Sequence, residues 1–214
     1  MSIAFDSVSS LDATTTSLSY SHTCTGLNRV LIIFVKVFDT TDRVTAVTYN
    51  GVSATLIDSR QDANSRWSYA YRLVAPATGA NNVVVSLSAS VGVAAISQSY
   101  TGCSAIGVPD SFTTTVASAA GVSMTTTTVA DNAWLVSFYG GGRSLSAVSG
   151  GVERRYHGGV GDQLYSYDSN APKTPAGSIS ITATQASSPS TYVTFSISLA
   201  PAPATANSAF FAFL

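Results

Sequence analysis

Apolar and polar residues alternate with a period of two along most of this chain. Val83, Val85 and Leu87 alternate with Val84, Ser86 and Ser88, and Phe195, Ile197 and Leu199 alternate with Ser196 and Ser198. Each run reads as a strand with one buried face. Residues 29–38 differ: Leu31, Ile33, Val35 and Val37 form one side, while Val30, Ile32 and Phe34 make the other side apolar too, until Lys36. A strand apolar on both sides belongs in the middle of a structure, one face on the second sheet and the other covered by a loop or neighbour. No window keeps a capped 3.6-residue period, and β-branched residues dominate. Strand candidates are 17–22, 29–38, 45–49, 53–59, 65–73, 82–87 and 91–100, then 112–115, 121–127, 133–139, 145–149, 164–168, 178–184 and 191–200. Gly, Asn, Asp and Pro turns separate them, and Asn50-Gly51 predicts a tight hairpin because a type I′ turn needs positive φ at both central residues.

The candidates fall into two sets in the same order. Val30 to Phe34, Tyr49 to Val52, Trp67 to Tyr71 and Ala75 to Gly79 in the first set match Trp134 to Phe138, Ser149 to Val152, Leu164 to Tyr167 and Ala171 to Gly177 in the second. This is the pattern of an internal repeat, with halves at about 10–104 and 112–200. A single sandwich domain over 1–200 is expected, its halves interleaved, because neither half alone offers a closed core. Residues 140–162, dense in glycine, read as a mobile or tightly turned surface region. Residues 201–214 read as a Pro/Ala linker followed by an apolar arm.

Composition narrows the function classes. Charged residues are 10 % of the 214, net charge is −1, and Ser and Thr exceed a quarter. Such a neutral, hydroxyl-rich surface suits packing against neighbours. The longest basic run is Arg154-Arg155, so the electrostatic footprint of nucleic-acid binding is missing. No segment reaches the roughly 20 apolar residues of a membrane-crossing helix. Residues 1–10 lack a charged start and an apolar core, so they do not read as a signal peptide, and retention in a cytoplasm is the expectation. Cys24 and Cys103 can form at most one bridge; free thiols are the preferred reading under reducing conditions.

Candidate chemistry is sparse. Trp67, Tyr69 and Tyr71 share one face of a strand and could stack on sugar rings, yet rings at such positions more commonly fill the core between sheets. Trp67 and Tyr69 with Arg143, Arg154, Arg155 and His157 make the candidate glycan or surface contact. His157, Glu153 and Asp162 are the one short-range His/Glu/Asp grouping, set among glycines, and Glu153 is the sole Glu. No metal-ligand spacing occurs, so no catalytic site, metal or cofactor is expected. Asp39, Asp42, Asp58, Asp62, Asp162 and Asp168 read as turn residues where calcium could bind, but 39–42 and 58–62 lack the dense oxygen series of a calcium loop, and Asp in turns usually caps its own backbone. Phe210, Phe211, Phe213 and Leu214 form an apolar terminus that reads as a docking arm for a partner.

At residues 28–31, 44–52 and 71–79 the chain resembles a β-sandwich family found among structural proteins of tailed bacteriophages and bacteria. The likeness covers about residues 10–100 directly and the second half through the repeat. It implies a virion or surface-binding context and carries no catalytic residues. The combined expectation is an all-β, jelly-roll-like antiparallel sandwich, assembled in a host cytoplasm into a virion. Its most specific role is a capsid decoration protein that contacts the major capsid protein or other virion subunits and forms a homo-oligomer such as a trimer. The alternative is a tail-fibre or adhesin-type carbohydrate-binding module.

Overall fold

The computed structural model describes residues 1–159, 162–187 and 189–204. All of its regular structure is β, in fifteen strands. The first seven are β1 (Ala4–Cys24), β2 (Val30–Val37), β3 (Val44–Tyr49), β4 (Val52–Ser53), β5 (Thr55–Gln61), β6 (Trp67–Val74) and β7 (Gly79–Thr101). The rest are β8 (Ser111–Ala119), β9 (Gly121–Thr127), β10 (Trp134–Gly141), β11 (Leu145–Ser149), β12 (Val152–Gly159), β13 (Asp162–Asp168), β14 (Ser178–Gln185) and β15 (Ser190–Leu199). Every strand ladder is antiparallel. Asn50 (φ 49°) and Gly51 (φ 75°) make the expected hairpin between Tyr49 and Val52.

The first half is one sheet folded over on itself. β7 pairs with β3 along Val83–Leu87 and with β2 along Val93–Tyr100, while β1 follows its other edge from end to end. A register shift between Thr15 and Ser17, opposite residues 87–90, marks the fold-over. The two limbs enclose Leu31, Ile33, Val35, Tyr69 and Tyr71 from one and Val47, Tyr49, Val83 and Val85 from the other. The second half reaches the same layering with separate sheets, β12-β13-β10-β15-β8 and β11-β14-β9, which enclose Leu135, Tyr139, Tyr165, Tyr167, Val122, Met124 and Ile181. Strand order corresponds position by position with β5-β6-β2-β7-β1 and β3-β7-β1 of the first half, where β4 is an added edge strand beside β3. Where the first half uses one long strand, the second uses two: β8 and β9 divide at Ala120, β14 and β15 after Gln185.

Interleaving of the halves is not what forms. Every strand ladder joins strands of the same half, and each half has its own apolar cluster. A third cluster lies between them, where Val30, Ile32, Phe34, Ala94 and Ile96 meet Val136, Phe138, Val193, Phe195 and Ile197. Phe34 stacks on Phe138 at 5.3 Å and meets Phe195 edge-on at 5.6 Å. The molecule therefore has four sheet layers and three interiors. This explains β2, which is fully buried along its length: its odd residues fill the first half, and its even residues face the second.

Three further departures have local causes. Residues 140–159, expected to be mobile or tightly turned, contain β11 and β12 joined by a tight turn at Gly150-Gly151. Their glycines mark close approach: a Cβ on Gly140 would stand 3.1 Å from Phe34 Cζ, and one on Gly159 2.5 Å from Asp12 Oδ2. Residues 4–16, too polar to read as a strand, are held as an edge by pairing with β7. Pro201 and Ala202, expected to begin a linker, lie against Cys103 and Gly102, with Ala202 N–H donating to Gly102 O at 2.7 Å.

Candidate functional site

The aromatic row of β6 is interior. Tyr69 is 2 % exposed and stacks on Tyr71, and its hydroxyl donates to Asp42 Oδ1 at 2.7 Å. Half-buried Trp67 stacks on Tyr69 and donates from Nε1 to Thr40 O. Tyr165 and Tyr167 stack in the matching place of the second half, 6.0 Å apart at 7°. These rings offer no open platform for a sugar.

The basic residues of β12 close the seam between the halves. A β-bulge between Glu153 and Arg155 changes the phase of the strand. Arg154 turns inward over the Phe5 ring at 4.2 Å and pairs with buried Asp168 through Nε (2.7 Å) and Nη2 (2.9 Å). Asp168 also accepts from the Tyr100 hydroxyl at 3.0 Å. Burial first, then the Asp168 carboxylate, pushes the Tyr100 phenol well above its ordinary value. Arg155 donates to Ser10 Oγ at 2.8 Å; His157 meets Ser10 Oγ through Nδ1 and Asp12 Oδ1 through Nε2. So β12 brings Arg154, Arg155 and His157 together, but against β1 and β13. Trp67 and Tyr69 lie elsewhere, on β6, and Arg143 stands exposed in the loop after β10. Glu153 accepts from the Tyr167 hydroxyl. The side chain of Asp162 and the whole of Phe210, Phe211, Phe213 and Leu214 lie outside the described residues.

The remaining carboxylates are committed too. Asp6 accepts from Thr25 and Ser99, Asp39 from Thr41 and Arg43, Asp58 from Arg60 and Thr114, and Asp62 from Lys36. Asp110 accepts from Val129 N–H and Ser198, and Asp131 from Ala176 N–H. Each described aspartate thus serves a cap or a bridge rather than converging with another carboxylate. Among the described residues no group of three or more His, Cys, Asp and Glu could hold a metal. Cys24 and Cys103 are free and buried, and burial pushes the Cys103 thiol up to about 12.

Buried His22 is the titratable group with the clearest consequence. Its Nδ1 meets Ser9 Oγ at 2.8 Å and its Nε2 meets Ser7 Oγ at 3.3 Å. Burial lowers it from 6.5 to about 4, against the opposing charge of Asp6. The unfolded chain then binds the proton that the folded chain refuses, so stability is complete above about pH 6.5 and lost as pH falls toward 4. The denaturation midpoint should drop over that window and drop less in His22→Gln; identical slopes would remove His22 as the cause.

What the structure leaves open is its two outer faces. On β9 and β14 the outward residues are Gly121, Ser123, Thr125, Thr127, Ser178, Ser180, Thr182 and Thr184. Ser123 bonds Thr125 at 2.8 Å, and Thr125 bonds Ser180 at 2.7 Å. On the opposite outer layer β1 presents Ser17, Ser19, Ser21 and Thr23 beside Ala80, Asn82, Val84 and Ser86 of β7. None of these outward positions carries a charge. Sheet geometry spaces such hydroxyls about 4.8 Å across strands and about 6.7 Å along them. A shallow groove lined by Thr113, Thr115, Ser123, Thr125 and Tyr192 extends the β9 face toward β8. The sequence signal for these faces was the Ser/Thr excess, whose placement on outward positions needed the strand register. The chain matches no family model, and no curated protein or solved structure is significantly similar to it.

Proposed function

We propose that this protein is a structural subunit of a bacteriophage particle, a decoration protein that lies on the shell and ties neighbouring subunits together. The observation that carries this reading is the pair of charge-free hydroxyl faces on the outermost layers. Lys36, Asp62, Arg154, Asp168, His157 and Asp12 are paired with one another away from these faces, which supports surface contact as the work of the outer layers. In the same reading each half is one copy of a jelly-roll unit, and the two stack back to back. Its partners are the major shell subunit and further copies of itself, with Phe210, Phe211, Phe213 and Leu214 as an apolar anchor. No catalytic step is assigned to it. The carbohydrate reading loses its main support, because Tyr69 is buried and the arginines of β12 are engaged.

The test is stoichiometry together with a charged face. Quantitative mass spectrometry of purified particles should find it in numbers comparable with the shell subunit. Thr125→Glu with Ser180→Glu should leave the circular dichroism spectrum unchanged and abolish binding to particles lacking the native protein. A few copies per particle, or undiminished binding by the charged variant, would sink the decoration role.

A further inference from the structure

Lys36 and Asp62 meet without access to water. Lys36 Nζ stands 2.7 Å from Asp62 Oδ2, with side chains 0 % and 1 % exposed. Lys36 comes from β2, a strand otherwise entirely apolar, and Asp62 from the turn between β5 and β6. The lysine stem lies on the face that meets the second half, where a Cβ on Gly140 would be 3.4 Å from its Cδ. The other carboxylate oxygen, Oδ1, accepts the backbone N–H of Asn64 at 2.9 Å and of Arg66 at 3.0 Å. Removing both charges from water consumes most of what their attraction returns, so an ion pair here is a poor device for stability. The same arrangement suits bond formation: a desolvated amine beside a carboxyl carbon, with two donors already on the oxygen that would gain charge.

We propose that Lys36 and Asp62 condense to an amide, so that the folded chain carries an internal cross-link between β2 and the β5–β6 turn. A proton first passes from the Nζ ammonium to Oδ2, giving a neutral amine and a neutral acid. The nitrogen lone pair then attacks Cγ, and the carbonyl π pair moves onto Oδ1, where Asn64 N–H and Arg66 N–H stabilise it. A second proton moves from nitrogen to Oδ2, which leaves as water while the Oδ1 double bond re-forms. One C–N bond forms, one C–O bond breaks, one water departs, and nothing is oxidised or reduced. Held in register by the fold, the pair has an effective concentration of the order of 10⁵–10⁸ M for a well-oriented intramolecular step. Water exclusion favours the amide over its hydrolysis.

Intact mass of the purified full chain should be one water below the sequence mass. Trypsin should release residues 30–43 joined to residues 61–66, uncut at the acylated Lys36. Lys36→Arg keeps the charge but supplies no nucleophilic amine, so it should run at its full sequence mass with the two peptides separate. If that variant does not fold, the branched peptide of the native chain decides alone. The full sequence mass in native protein, or a water loss that maps to any other residues, would overturn the cross-link.

Discussion

Phe138→Ala should destabilise the fold by about 3–5 kcal/mol, the range for emptying a fully buried aromatic site. Phe138, Phe34 and Phe195 are at most 1 % exposed and lie where the two halves meet. Stacked and edge-on ring contacts there add to simple burial. Antiparallel ladders on either side hold the backbone, so the site cannot readily collapse to fill the void. Urea denaturation followed by tryptophan fluorescence measures the loss. Val129→Ala, at a residue 72 % exposed, is the control and should stay within about 0.5 kcal/mol. A Phe138→Ala loss below about 1 kcal/mol would mean that the halves do not depend on this interior.

Asp168→Ala should cost a similar amount, about 3–5 kcal/mol, for a different reason. Its carboxylate is fully buried and serves Arg154, Tyr100 and the Asn170 N–H together. Deleting it leaves a largely buried guanidinium without its counter-charge, still bonded to Asn170 Oδ1, and a buried phenol without its acceptor. Converting Arg154 to Met as well removes the stranded charge, so the double variant should recover part of the loss. A double variant no more stable than Asp168→Ala would show that the charge is not the source of the cost.

Both predictions concern residues whose importance the sequence conveyed unevenly. The two-sided apolar run at Val30 to Val37 announced a strand covered on both faces, and β2 is buried throughout. What covers its second face was not legible, because an apolar side chain looks alike whether it meets a loop or another sheet. Hence interleaved halves were expected where two separately enclosed halves stack. Glycine density between 140 and 159 could not separate mobility from tight turning or close approach: Gly150 makes a turn, while Gly140 and Gly159 serve close approach. The polar N-terminal run hid a strand because its ordering comes from a distant partner, β7. The seam of Arg154, Asp168 and Tyr100 was out of reach for the same reason: those residues are joined by stacking of layers, not by spacing along the chain. Lys36 gave the one advance sign, as a lone charge in an apolar strand.

The hydroxyl-covered outer layers have a consequence for solution behaviour. Dissolved ions weaken attraction between charged patches within roughly 10 Å at moderate ionic strength. Ser123, Thr125, Ser180, Ser19 and Ser21 offer nothing for such ions to shield. Whatever seats on these layers is held by short-range contact alone, and its grip should be the same in brine as in dilute buffer.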